Sequence, residues 1–234
     1  MKNSMFRILA AALVFVFLLS AVSCSDKLGE LTPDEKGGYV NSKNGDVYYP
    51  APACYEVVSY VSEEAVAIND GFNFYAVEGT TDNAWLYNPD FGMLLYKEGE
   101  TLPAISDFLP SAMDICLEGD VVNQTIFEIQ NSEKINAVLS AYENGETTSY
   151  PGKQANYKFY LKFYSAEYSF LVYNLMFVQY GEDLVASKKN ESGEVVQVNY
   201  GKNFLYNRYE DRFVAIGDEM QEYIDEYYRS PDAE

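Results

Sequence analysis

The sequence predicts an α+β fold: a largely antiparallel β meander packed against two helices, at about residues 132–143 and 218–228. Three observations predict it. From Tyr157 to Tyr164 the odd positions are Tyr, Phe, Leu and Phe, and the even ones are Lys158, Tyr160, Lys162 and Tyr164. That two-residue period is a strand with one buried face. Two other segments carry apolar stripes at helical spacing, Ile135, Val138, Leu139 and Tyr142, then Met220, Tyr223, Ile224 and Tyr227. Around them, short β-prone runs separated by turn residues suit a meander better than βαβ units.

Composition bounds the rest. The 234 residues are 48% hydrophobic and 22% charged, a globular balance with room for one domain or two small ones. Sixteen basic residues against 36 acidic ones leave a net charge of −20. A polyanionic nucleic acid finds no basic patch whose binding would release its counterions, so nucleic acid is not a partner the sequence supports. Attraction to anionic lipid head groups is excluded on the same ground. The chain has no histidine. Ser-His-Asp and Cys-His nucleophiles, His-containing zinc sites and histidine pH switches are therefore closed to it.

The first residues read as an address. Lys2 and Arg7 precede the apolar run Ile8 to Leu19, and Ser20-Ala21-Val22-Ser23-Cys24 follows. A positive start, an apolar middle and small residues at a cleavage point make a secretory signal over 1–23. The stretch from Ile8 to Val22 falls short of the roughly 20 residues that cross a bilayer. Its end resembles the lipobox of bacterial lipoproteins, with Val22 and Ser23 in keeping and Ala21 where leucine is usual. The resemblance covers only these 24 residues. It implies that Cys24 becomes a lipid-modified mature N-terminus and holds the protein at the extracytoplasmic face of a membrane. Ala21-Val22-Ser23 also suits ordinary secretion, which stays open as the alternative. Loss of residues 1–23 removes Lys2 and Arg7 and no acid, taking the net charge from −20 to −22.

After Cys24 the polar, Gly- and Pro-containing stretch to Gly38 reads as a flexible tether over 24–38. The body then spans 39–234, divisible into two subdomains near 145–155. Tyr39-Val40-Asn41 and Asp46 to Tyr49 flank Asn44-Gly45, a hairpin signal. Short strands are expected at Tyr55–Val61, Ala65–Ile68, Phe72–Val77, Trp85–Tyr87 and Met93–Tyr96, with turns at Asn69-Asp70-Gly71, Glu78-Gly79 and Asn88-Pro89-Asp90. Pro103 and Pro110 fragment Leu102 to Leu117, while Val121 to Ile129 alternates as a strand. The first helix has Asn131 or Ser132 to cap it and Asn144-Gly145 to end it. Tyr168 to Tyr180 is apolar at both parities, and its aromatics favour a strand covered on both faces. Leu184–Ser187, Val195–Asn199, Asn203–Tyr206 and Arg212–Ile216 extend the meander. Asp218 caps the last helix.

No motif assigns an activity. Cys54 and Cys116 are a candidate disulfide in an exported chain, and two buried thiols are the alternative. Their pairing would close a long loop worth roughly 4 kcal/mol. Acidic pairs such as Glu63-Glu64 and Glu210-Asp211 are numerous and read as solvated surface; two of them across a cleft would suit glycoside hydrolysis. The nearest approach to a Ca²⁺ loop, Asn41 to Asp46, has Lys43 where an oxygen ligand belongs. Gly-rich phosphate loops are absent, and no cofactor is implied. Asn123-Gln124-Thr125 and Asn190-Glu191-Ser192 match the glycosylation pattern, which bacterial lipoproteins do not normally use. Exposed tyrosine stacks on sugars or buries in protein interfaces. The candidate binding surfaces are Trp85, beside Asn83 and Asn88, and the outward row Lys158, Tyr160, Lys162 and Tyr164. The expected function is non-catalytic binding or assembly at the cell surface, with a protein or carbohydrate ligand. A carboxylate-dependent hydrolase acting on extracellular carbohydrate is the alternative, and a Ca²⁺-stabilised module the third.

Overall fold

The computed structural model describes residues 28–59, 62–117 and 123–229. The signal segment and Cys24 lie outside the described residues. The chain is mostly β, with 49% strand and 13% helix, so the expected meander on two helices is replaced by a closed barrel and a second sheet.

The barrel uses β1 (Gly29–Pro33), β2 (Tyr39–Asn41) and β3 (Val47–Pro50). The chain then leaves it for β4 (Tyr55–Val57), which belongs to the second sheet, and returns as β5 (Ala67–Asn69), β6 (Phe72–Ala76), β7 (Trp85–Asn88) and β8 (Met93–Lys97). Local chemistry makes the turns. Asp70 and Gly71 both take positive φ, 48° and 87°, in the tight turn between β5 and β6. Asn88 caps the turn between β7 and β8 by accepting from the Phe91 amide at 2.9 Å. Leu31, Tyr48, Phe74, Leu86 and Leu95 fill the barrel, while their neighbours Trp85 and Leu94 point outward.

Closure comes from a pairing no local pattern announces. β1 runs parallel to β5, Gly29 against Ala67 and Glu30 against Ile68, and antiparallel to β2. The approach there is close: a Cβ on Gly29 would stand 1.9 Å from the side-chain oxygen of the buried Asn41, which would have to move. The stretch expected as a tether to residue 38 is therefore barrel wall from Gly29 onward. Its composition is polar because only Leu31 of this strand faces the barrel core.

The second sheet holds β9 (Pro110–Leu117), β10 (Gln124–Ile129), β11 (Thr147–Thr148), β12 (Tyr157–Ser165), β13 (Leu171–Lys189), β14 (Val195–Asn207) and β15 (Arg212–Ile216). Their order is β10-β9-β12-β13-β14-β15-β11, and β4 pairs with the first residues of β13. Residues 145–155 do not divide the body: β11 joins this sheet and Tyr150 packs on it. β13 and β14 run on past the sheet as a two-stranded arm whose tip turns at Asn190 to Gly193.

On the inner face Phe159, Leu161, Phe163, Tyr173, Leu175 and Phe177 are sealed beneath the helices and the barrel. The helices are α1 (Ile105–Phe108), α2 (Ser132–Asn144) and α3 (Gln221–Arg229). α2 buries Ile135, Val138, Leu139 and Tyr142. Asn131 caps it by accepting from the amides of Glu133 and Lys134, at 2.9 and 3.2 Å. At its other end the Arg212 guanidinium donates to the carbonyls of Tyr142 and Glu143, at 3.1 and 3.2 Å. Among the described residues no helix is long and apolar enough to cross a membrane.

Candidate functional site

The outer face of the second sheet carries a buried cluster of its own, Met176, Val178, Phe204 and Phe213, edged by the half-buried Tyr160 and Tyr206, and its layout follows from register, because cross-strand partners share a face. Tyr160 of β12 lies between Cys116 of β9 and Met176 of β13. Met176 in turn faces Tyr206 of β14, which faces Phe213 of β15. To one side of this row Lys162 lies between Asp114 and Asn174. To the other side Lys158 faces Val178, which faces Phe204.

Two adjoining grooves follow the tyrosine row. One, of about 200 Å³, brings Tyr160, Asn174, Met176, Tyr206, Arg208 and Tyr209 together. The other, of about 530 Å³, shares Met176, Tyr206 and Arg208 and adds Tyr150 and Lys158. Tyr150 stacks on Tyr206 at 4.9 Å between ring centroids and meets Phe213 edge-on at 5.4 Å, so it forms a wall. A third cleft, of about 740 Å³, lies beyond Tyr150 toward Leu184 to Lys188.

The cations here rest on aromatic rings. The Lys158 ammonium is 5.4 Å from the Tyr160 ring centroid. The Arg208 guanidinium is 4.9 Å from that of Tyr209 and donates to its hydroxyl at 2.7 Å. Asn174 sits where β4 gives way to β14 along β13. Its amide nitrogen donates to the Cys54 carbonyl at 3.3 Å, while its side-chain oxygen is buried and accepts no hydrogen bond among the described residues. Such an oxygen costs free energy until a donor reaches it.

The row predicted from alternation is divided. Lys158 and Tyr160 line the grooves. Lys162 is bound 2.9 Å from the Glu56 carboxylate, and the Tyr164 hydroxyl donates to Asp114 at 3.0 Å, so these two hold strands β4, β9 and β12 together. Burial and the adjacent Asp114 push the Tyr164 phenol well up. The partners Tyr206, Arg208 and Tyr209 are separated from β12 by more than 40 positions, and only the register of β13 unites them.

Trp85 is no binding surface. It is 3% exposed, against Tyr96 at 5.7 Å and Phe170 at 5.3 Å, where the barrel docks on the sheet. Strand alternation in β7 turned it outward from the barrel into that seam. Cys54 and Cys116 are both buried free thiols rather than a disulfide. Cys116 belongs to the outer-face row and lies 3.6 Å from the Thr125 hydroxyl. Cys54 borders the buried cluster on the inner side, where Asn207 donates to the Tyr173 hydroxyl at 2.9 Å. Burial pushes the Cys54 thiol up to about 11, far from the thiolate a nucleophile needs.

Among the described residues the two tyrosine-lined grooves contain one carboxylate between them, Glu56, already paired with Lys162. Among the described residues no group of three Cys, Asp or Glu is placed to hold a metal ion. No protein-family model, no curated protein and no solved structure matches the chain.

Proposed function

We propose that this chain is an exported protein, anchored through lipid on Cys24, that binds carbohydrate on the outer face of its second sheet without transforming it. The supporting observation is the row Tyr160, Met176 and Tyr206, open to two adjoining grooves and walled by Tyr150 and Tyr209. Tyrosine rings present an apolar face to the C–H side of a sugar while their hydroxyls meet its polar edge. Asn174 lines the smaller groove beside them. A hydrolase would need two carboxylates facing across the bond to be cleaved. Among the described residues the one groove acid, Glu56, is ion-paired with Lys162.

Glycan-array screening of the mature chain, followed by calorimetry on the hits, tests the binding. Tyr206→Ala and Tyr160→Ala should each weaken binding at least about tenfold, since stacked aromatic contacts are worth roughly 0.5–1.5 kcal/mol beyond the area they bury. Undiminished binding in both variants would sink the assignment of this face. Mass spectrometry of the mature N-terminus tests the anchor: a diacyl or triacyl Cys24 is expected, and an unmodified N-terminus would refute it.

A further inference from the structure

We propose that the ring of Tyr150 occupies a sugar subsite of its own protein. Residues 149–155 are a strap that lays this ring on Tyr206, and a sugar binds there by displacing it. This rests on the carbohydrate-binding reading above and adds how that site opens.

The strap follows from the path of the chain. Thr147 and Thr148 of β11 are paired with Val214 and Phe213, and the Asn156 amide donates to the Gln179 carbonyl at 2.7 Å. Between these fixed points residues 149–155 belong to no helix or strand. Among the described residues they make no main-chain to main-chain hydrogen bond. The Lys153 carbonyl accepts from the Tyr180 hydroxyl at 3.5 Å, longer than an ordinary hydroxyl bond. Gly152, at the middle, has a positive φ of 64°. A segment with exposed, unpaired backbone opens at low free-energy cost.

Side chains hold the strap down. Ala155 adds a methyl group to the buried outer-face cluster. Tyr150 does more. Its ring lies 4.9 Å above that of Tyr206 with 17° between the planes, and it meets Phe213 edge-on. Its hydroxyl lies beside that of Tyr180. Yet Tyr150 is 43% exposed, while Phe213 beneath it has no exposed surface. A half-wet ring laid flat on an aromatic platform does what a pyranose would do there. It sets an apolar face on an apolar face and leaves a hydroxyl at the rim.

The clefts supply the second observation. Tyr150 lines both the groove of about 530 Å³ over Met176 and Tyr206 and the cleft of about 740 Å³ toward Leu184. It is the one lining residue these two share. With the ring in place they are separate. With the ring swung aside they join into one trough, floored by the bared face of Tyr206. A sugar landing on that face covers Phe213 again, so the apolar surface that the strap uncovers does not stay in water.

Calorimetric titration of the whole mature chain with cellohexaose, xylohexaose and chitohexaose tests the displacement. Tyr150→Ala should bind the sugar that the wild type binds about two- to tenfold more tightly, because the competing stack is gone. Tyr150→Phe keeps the ring and should stay within about twofold of wild type. Tyr206→Ala should weaken binding with or without Tyr150→Ala. Hydrogen exchange of the sugar-free wild type gives a second reading. The amides of residues 152–155 should exchange at least about 100-fold faster than those of Phe159 to Phe163. Unchanged or weaker binding in Tyr150→Ala would overturn the displacement and leave carbohydrate binding standing, with Tyr150 a fixed wall. Strap amides as slow as those of β12 would overturn it in the same way. Binding of no sugar by either form would overturn the carbohydrate reading and this inference with it.

Discussion

On the inner face of the second sheet, β12 presents Phe159, Leu161 and Phe163, each fully buried under helices and barrel. On the outer face the same strand presents Lys158, Tyr160, Lys162 and Tyr164, all half-buried. One strand thus serves two purposes by parity alone. Its inner residues gain from being removed from water, at about 25 cal/mol per Å² of apolar surface. Its outer residues keep polar tips in contact with solvent or with one another. The difference teaches where to look for function: in the half of the alternation that packing does not consume.

The sharpest break of this contrast is a truncation on each side. Phe159→Ala should cost about 3–5 kcal/mol, as large-to-small changes in a close-packed core do, and Tyr160→Ala well under half of that. Urea unfolding of both variants measures it, and equal losses would end the distinction between the faces. A second test uses alkali. Burial pushes the Tyr142 phenol up to about 12 and those of Tyr55 and Tyr173 further, while Cys54 rises to about 11. The folded chain therefore keeps protons that the unfolded chain gives up above pH 9 to 10. The stability these groups lend is complete below that range and is lost as pH climbs toward 12. The melting temperature should fall by about 10 °C or more between pH 9 and 11.5, with tyrosinate absorbance lagging until the fold opens. A flat melting temperature across that window would contradict the burial of the inner tyrosines.

Smaller changes refine the picture. Asn131→Ala removes the cap of α2, which lies over the inner face, and should cost about 1 kcal/mol; Asn131→Asp should restore it. Lys162→Ala breaks the pair with Glu56 on the outer face, a half-exposed pair worth about 0.5 kcal/mol. A loss of several kcal/mol there would mean that the outer face is structural after all.

Much of this contrast was legible in the sequence. The alternation of Tyr157 to Tyr164 gives the buried parity of β12 directly, and the stripe Ile135, Val138, Leu139 and Tyr142 is the buried side of α2. What local pattern cannot carry is the pairing of distant segments. The closure of β1 on β5 joins residues 38 positions apart through a strand with one core residue. Trp85 looked available because its neighbours Asn83 and Asn88 are polar, yet it lies under the other layer. The site was half visible: Lys158 and Tyr160 showed themselves by alternation, and Tyr206, Arg208 and Asn174 became their neighbours only through the register of β13.

The start of β1 at Gly29 has a mechanical meaning. Gly29 lies five positions after Cys24, a span of at most about 18 Å. With lipid on that cysteine, the protein is moored on a short line. Tension drawn along the strand enters the barrel through Gly29 and Glu30, gripped by β5, and passes on to Leu31, Thr32 and Pro33, gripped by β2. Such a load must shear several ladder bonds together instead of unzipping them one at a time. The closed barrel is then a mooring post that takes such a load ahead of the second sheet.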